Sequence, residues 1–263
     1  MCALTAAVAL ATAVAACGSP APQAPTGSTP NPVVVHLAHV PDGVATLGWN
    51  AQTRAVTVHL DIYGLAPAGT VALRLRQGSC LALAAELVGF PDVTADAGGV
   101  VRTDVASDQP QPAGIPHHAA IAVEAAGGGA AASLLACTDI PASNATAPLR
   151  LFAPPALKPA GTATLAYDRA AATLDVHVIA IGMPAGGSFA AELRQGSCHT
   201  QGPVVRHVAD VTADRSGAIS SATTLTHFTA RSGHWYVAVR PASAAGAPQP
   251  GPLVCGDVTS LGA

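Results

Sequence analysis

The sequence predicts an all-β protein made of two tandem Greek-key or immunoglobulin-like β-sandwiches, and three observations carry that prediction. Apolar and polar residues alternate with period two over several short runs. Glycine- and proline-rich turns punctuate those runs. A long stretch of the chain then occurs a second time. Composition favours strands over helices: half of the 263 residues are apolar and 10% are charged, against about 25% charged in an average protein. Ala, Gly, Pro, Thr and Val dominate, while Glu, Lys and Gln, which coat helix surfaces, are scarce. The length fits two domains of about 100–200 residues each. A net charge of −3 with no Lys/Arg-rich stripe lacks the footprint of a nucleic-acid binder.

Residues 1–16 are expected to be a lipoprotein signal peptide. Residues 3–16 are uncharged and apolar, long enough for a signal-peptide core and too short to span a bilayer. The run ends in Val14-Ala15-Ala16-Cys17-Gly18-Ser19. Small residues before a cysteine resemble the lipobox of bacterial lipoproteins, which makes Cys17 the expected lipidation site. No basic residue precedes the apolar run, so a true start a few codons upstream is expected. Residues 17–32, rich in Pro, Ser and Thr, form a tether. The first sandwich then covers residues 33–141. A Pro/Ala-rich linker follows at 142–157, within which residues 149–152 fit the second module's opening strand. The second sandwich covers 158–263.

The duplication has a constant spacing. Gln77-Gly78-Ser79-Cys80 returns as Gln195-Gly196-Ser197-Cys198, and Asp92-Val93-Thr94-Ala95-Asp96 as Asp210-Val211-Thr212-Ala213-Asp214, each 118 positions on. Cys137-Thr138-Asp139 matches Cys255-Gly256-Asp257 at the same spacing. A period that long is a repeated domain, not a solenoid unit. Within each copy, residues 55–62 and 173–178 alternate cleanly, as half-buried antiparallel strands do. Gly-Pro turns at 64–69 and 182–187 end them, and new strands begin at 71–75 and 189–193. Residues 235–239 make a strong late strand, 117–123 a weaker one.

Setting aside Cys2 with the signal and Cys17 for lipid leaves Cys80, Cys137, Cys198 and Cys255. Four cysteines allow three pairings. A module that pairs internally selects Cys80–Cys137 and Cys198–Cys255, two loops of equal length in an exported, oxidised chain. Neither Cys-x-x-Cys nor a zinc-spaced Cys/His cluster is present.

The order of landmarks resembles the CHRD family, the module named after chordin. In the second copy the resemblance runs through Gly161-Thr162-Ala163-Thr164-Leu165-Ala166-Tyr167-Asp168, Ala191-Glu192-Leu193-Arg194-Gln195-Gly196-Ser197-Cys198 and Trp235-Tyr236-Val237-Ala238-Val239, closing at Cys255-Gly256-Asp257-Val258. It covers most of residues 158–258 and, more loosely, 33–140. That family is similar in turn to copper/zinc superoxide dismutase, which implies a Greek-key sandwich with a His-x-His metal motif before the disulfide cysteine and a late histidine. This chain departs at each slot. Arg74 and Arg76 stand in the first copy and Glu192 and Arg194 in the second, with Ala122 and Arg240 at the late position. Guanidinium offers no lone pair to a cation. The second copy is expected to pair Glu192 with Arg194 or Arg240. The first is expected to present Arg74 and Arg76 without a matched acid, either simply solvated on an outward strand face or, as the alternative, in contact with an anion.

Other candidates read as structure. The ten histidines default to surface positions, with His59 and His177 on equivalent polar strand faces. The repeated Asp-Val-Thr-Ala-Asp fits turn chemistry. No Gly-x-Ser-x-Gly, His-Glu-x-x-His or phosphate loop is present. The expectation is a non-catalytic lipoprotein without a cofactor, lipid-anchored to the outer face of the bacterial cytoplasmic membrane. Its modules would bind a protein or envelope ligand, or serve as structure. The alternative is a copper-binding or dismutase-like periplasmic protein taking copper or zinc on His199, His207 and His234.

Overall fold

The computed structural model describes residues 31–111, 114–127, 133–142, 146–152, 154, 158–230, 233–243 and 249–261. The signal peptide, Cys17 and the tether up to residue 30 lie outside the described residues. Every regular element among the described residues is a β-strand. In chain order these are β1 (Val33–His39), β2 (Asp42–Asn50), β3 (Ala55–Tyr63), β4 (Thr70–Ser79), β5 (Ala82–Gly89), β6 (Val93–Thr94), β7 (Val101–Ala106), β8 (Ala119–Ala125) and β9 (Leu134–Asp139). They continue with β10 (Leu149–Leu151), β11 (Ala160–Asp168), β12 (Thr173–Ile181), β13 (Ser188–Gln195), β14 (Val204–Thr212), β15 (Ile219–Leu225), β16 (Trp235–Pro241) and β17 (Val254–Val258). The all-β expectation holds.

The alternation seen in the sequence is the alternation of burial. On β3, Val56, Val58, Leu60 and Ile62 point inward with no exposure, while His59 stands outside. On β12, Leu174, Val176, Val178 and Ala180 point inward, and Asp175 and His177 outward. A Leu, Ile or Val buried this fully contributes roughly 1.5–3 kcal/mol. Two separate cores result, one around Leu60, Leu73 and Ile121 and one around Leu165, Leu193 and Val237.

The modules share one strand order. In the second, a single antiparallel sheet runs β14-β13-β16-β17-β1-β11-β12-β15, and its end strands β14 and β15 lie against each other to leave a nearly closed barrel-like sandwich. In the first, β5-β4-β8-β9 and β10-β2-β3-β7 are separate sheets, joined where Cys137 bridges to Phe152 just beyond β10. Matching strand for strand, β10 occupies in the first module the place that β1 occupies in the second.

That correspondence differs from the division read off the sequence. β1 begins the 33–141 segment, yet it inserts between β17 and β11 of the second module, with Val33 opposite Leu165 and Ala38 opposite Cys255. Val35 and Leu37 are buried in the second core. β10, from the stretch read as linker, pairs with β2 of the first module, and Leu151 is buried in the first core. The modules have exchanged their opening strands. Alternation fixes which face of a strand is buried but not which sheet it enters, so the exchange leaves no mark in the pattern. Glycine prepares both entry points. Gly43 faces Leu151 and Gly161 faces Leu37, and a β-carbon at either would run into the carbonyl oxygen of Asp61 or Ile179.

Only Val40 and Pro41 separate β1 from β2, so the modules are held in contact. Val40 is buried against Tyr236 and Ala238, and its N–H donates to Leu253 O at 3.0 Å. Across the same junction Gln201 Nε2 donates to Leu65 O at 2.9 Å, and the Tyr63 and His199 rings lie 4.4 Å apart.

Candidate functional site

The middle strands β8 and β16 are buried along their length because both their faces are covered. One face enters the core. On the other, β4 and β8, or β13 and β16, carry the slots that the family resemblance marks for metal ligands. In the second module Glu192 and Arg194 are two residues apart on β13 and share a face, and Arg240 lies on β16 beside them. Glu192 Oε2 sits 2.5 Å from Arg194 Nη1 and 3.1 Å from Arg240 Nε. All three are buried, at 6%, 6% and 2% exposure. The ion pair expected for Glu192 is therefore present, with both arginines at once.

The partners around this triad are unequal. Arg194 Nε donates to Gly202 O at 2.9 Å, and Arg240 Nη1 donates to Gln249 Oε1 and Pro250 O at 3.1 and 3.0 Å. Arg240 Nε is near Glu192 but off hydrogen-bonding angle, so that contact is Coulombic, not directed. Arg240 Nη2 has no partner among the described residues. Burial, and then the Arg194 cation, pull Arg240 below the ordinary guanidinium value, against the pull of Glu192. One carboxylate facing two buried guanidiniums leaves the cluster with an excess positive charge.

The first module corrects the sequence expectation. Arg74 and Arg76 are not left without acids. Arg76 Nη1 is 2.8 Å from Glu124 Oε1, and Glu124 is 7% exposed. Arg74 Nε is 3.1 Å from Glu86 Oε2 and its Nη2 3.4 Å from Asp92 Oδ1. The late position is also reassigned. Gln77 faces Ala119 while Gln195 faces Trp235, so the late strands correspond at 116 positions, not 118. Glu124 rather than Ala122 is the counterpart of Arg240. The chain before β16 is two residues shorter than that before β8, and a constant spacing could not register the shift.

The cysteines pair as the duplication implied, Cys80 with Cys137 and Cys198 with Cys255, each across 57 residues. Loops of that size stabilise by roughly 4 kcal/mol in the chain-entropy treatment. A role missed in the sequence lies beside them. Asp139 and Asp257 each accept the N–H of the preceding half of the bridge, Cys80 and Cys198, at 2.7 Å. The recurrence of Cys-x-Asp was the available signal. Asp96 and Asp214 cap their turns, taking the N–H groups of Gly98 and Val100 and of Ser216 and Ala218 at 2.8–2.9 Å. Turn chemistry is what the repeated motif does.

The three histidines of the metal alternative have different surroundings. His199 stacks on Tyr63, His207 Nε2 lies 3.4 Å from Asp210 Oδ1, and the His234 carbonyl accepts from Gly196 N–H at 2.8 Å. Among the described residues no three His, Cys, Asp or Glu side chains are gathered closely enough to hold a metal ion. His59 pairs with Asp104 at 2.9 Å on the outer face of the first module. Gln201, also missed, is 8% exposed and contributes the amide that crosses the module junction.

Fold and site together define a class: a disulfide-stapled pair of β-sandwiches, compatible with an oxidising, extracytoplasmic setting. No family model and no curated protein matches the chain.

Proposed function

We propose that this protein is a non-catalytic cell-envelope lipoprotein, anchored by lipid on Cys17 to the outer face of the cytoplasmic membrane. Its two CHRD-like modules serve a binding or structural role there. The observation that carries this reading is the fate of the family's ligand slots. Both modules fill them with carboxylate–guanidinium pairs, in which the guanidiniums offer no lone pair to a cation and Glu124 and Glu192 are each engaged by an arginine. The lipobox-like Val14-Ala15-Ala16-Cys17 and the tether behind it support the anchor.

Two measurements test the reading. After loading with copper or zinc and desalting, the purified protein is expected to retain no stoichiometric metal; tight, equimolar copper would overturn it. Metabolic labelling with a fatty acid is expected to mark the wild type and not Cys17→Ala. Equal labelling of both removes the anchor.

A further inference from the structure

The exchange of β1 and β10 has a symmetry of its own. Both strands run toward the module junction, and β2 and β11 both start from it: Leu151 lies opposite Gly43, and Leu37 opposite Gly161. The modules therefore meet through equivalent ends and trade equivalent strands. That is the arrangement of a strand-swapped two-fold dimer, carried here within one chain.

Two connections join the paired modules. The crossover Val40–Pro41 ties β1 to β2 and is part of the junction itself, since Val40 is buried against Tyr236 and Ala238. The other is the link of eight residues, 152–159, between β10 and β11. Only this link makes both modules of a pair come from the same copy. If it leads to another copy instead, β1 meets the same edges of β11 and β17, in the same register and with the same buried Val35 and Leu37. No strand has to change its course.

The surface around the link fits a second copy. Both ends of the link open on one hollow, lined by Arg150 and Phe152 and by Lys158 and Ala160. Fully extended, the link reaches roughly 26–29 Å, enough to pass between two hollows that face each other. Leu81, Phe152 and Ile181 are the most exposed large hydrophobic side chains among the described residues, at 83%, 58% and 58%. All three belong to this end of the molecule. Phe152 lines the hollow, Ile181 stands opposite Ala160, and Leu81 follows Cys80, whose bridge to Cys137 lies beside Phe152. Their counterparts in the repeat show what such positions do when covered. Tyr63 is 118 positions before Ile181 and His199 118 after Leu81, and these two rings stack on each other across the closed half of the junction.

We propose that two copies of this chain form a dimer by exchanging β1. The first module of each copy completes the second module of the other, the two links cross between the pairs, and Phe152, Ile181 and Leu81 are covered where the hollows face. The proposal goes beyond the function put forward above and does not depend on the anchor at Cys17.

The full chain is prepared with Cys2→Ala and Cys17→Ala, which remove the free thiols, and with Val34→Cys and Thr164→Cys. The last two positions face each other on the outer side of β1 and β11. The protein is unfolded in denaturant with its native disulfides intact. It is refolded at about 1 mM and at about 1 µM, which are near and far below the effective concentration that a short link gives its partner. Each sample is sized by chromatography with light scattering, then oxidised and run on a non-reducing denaturing gel. Dilute refolding is expected to give monomer with the new bond inside one chain. Concentrated refolding is expected to give monomer and dimer in comparable amounts, with the dimer's new bonds joining two chains. Phe152→Ser is expected to lower the dimer yield several-fold and to leave the monomer's far-UV dichroism unchanged. Monomer alone from the concentrated sample, a dimer whose new bonds lie within single chains, or a yield indifferent to Phe152→Ser would each overturn the proposal.

Discussion

The two modules use the same three charges in a different order. The first places Arg74 and Arg76 on β4 and Glu124 on β8; the second places Glu192 and Arg194 on β13 and Arg240 on β16. One arginine of each set, Arg76 or Arg194, keeps its position. The other two sites have reversed sign together. Each set still has two guanidiniums and one carboxylate, but the surroundings differ. In the first module the extra cation, Arg74, reaches Glu86 and Asp92, and its side chain is 22% exposed. In the second the extra cation is shut in beneath Gln249 and Pro250, and its Nη2 has no partner among the described residues. The difference teaches that a paired reversal of charge preserves the strand-to-strand contact, while burial decides how much energy depends on it.

Several changes would break or sharpen this comparison, and removing β1 should have the largest effect. Because β1 belongs to the second module, deleting residues 31–39 strips Val35 and Leu37 from that core and exposes the edges of β11 and β17. Two such side chains at about 1.5–3 kcal/mol each, plus ladder hydrogen bonds at about 1 kcal/mol, amount to much of a domain's stability. Hydrogen exchange is expected to lose protection in β11–β17 while β2–β9 stay protected. Loss confined to the first module would refute the exchange of strands.

Next in size is the acid at the slot. Glu192→Gln leaves two buried guanidiniums facing each other, and breaking a buried pair costs about 3–5 kcal/mol. Glu124→Gln should cost less, about 1–2 kcal/mol, because the Arg76 side chain is 30% exposed and can turn to water. Denaturant midpoints measure both, and equal losses would show that burial does not set the difference. A smaller effect comes from converting the first module to the second module's pattern. Arg74→Glu combined with Glu124→Arg should be less destabilising than the sum of the single changes by about 0.5–3 kcal/mol. It should stay below wild type, since Glu86 and Asp92 would then face a new carboxylate.

Much of this molecule was legible in its sequence, and the rest was hidden for physical reasons. Period-two alternation gave the strands because burial acts residue by residue along them. The equal separation of the cysteines gave the staples, since a duplicated fold repeats its contacts. Strand partnership was not legible: Val33–His39 would bury Val35 and Leu37 equally well against either core. Nor was Glu124, because two residues are missing ahead of β16 and only the facing strand reveals the register. Its role depends on the partner across the sheet, which a linear spacing does not encode.

The exchange also makes the two crossovers unequal, and pH is the gentlest probe of that. His39 ends β1 where the chain passes from one module to the other, half-buried beside Asp42, with Arg150 and Lys158 lining the same hollow. Burial lowers the His39 value below 6.5, with Asp42 pulling the other way. The fold thus favours neutral imidazole, and the unfolded chain takes up its proton first as pH falls. Stability from this group is fully present above pH 6.5 and declines below it, until the folded His39 itself titrates. His39→Gln should flatten that part of the stability curve without moving its neutral-pH value much. In the first module Phe152 meets Cys137 at the corresponding crossover, as Ala38 meets Cys255 in the second, and an aromatic ring there has no proton to take up. Phe152→Leu should therefore leave the pH slope unchanged. A slope that persists in His39→Gln would place the proton uptake elsewhere and remove this difference between the two crossovers.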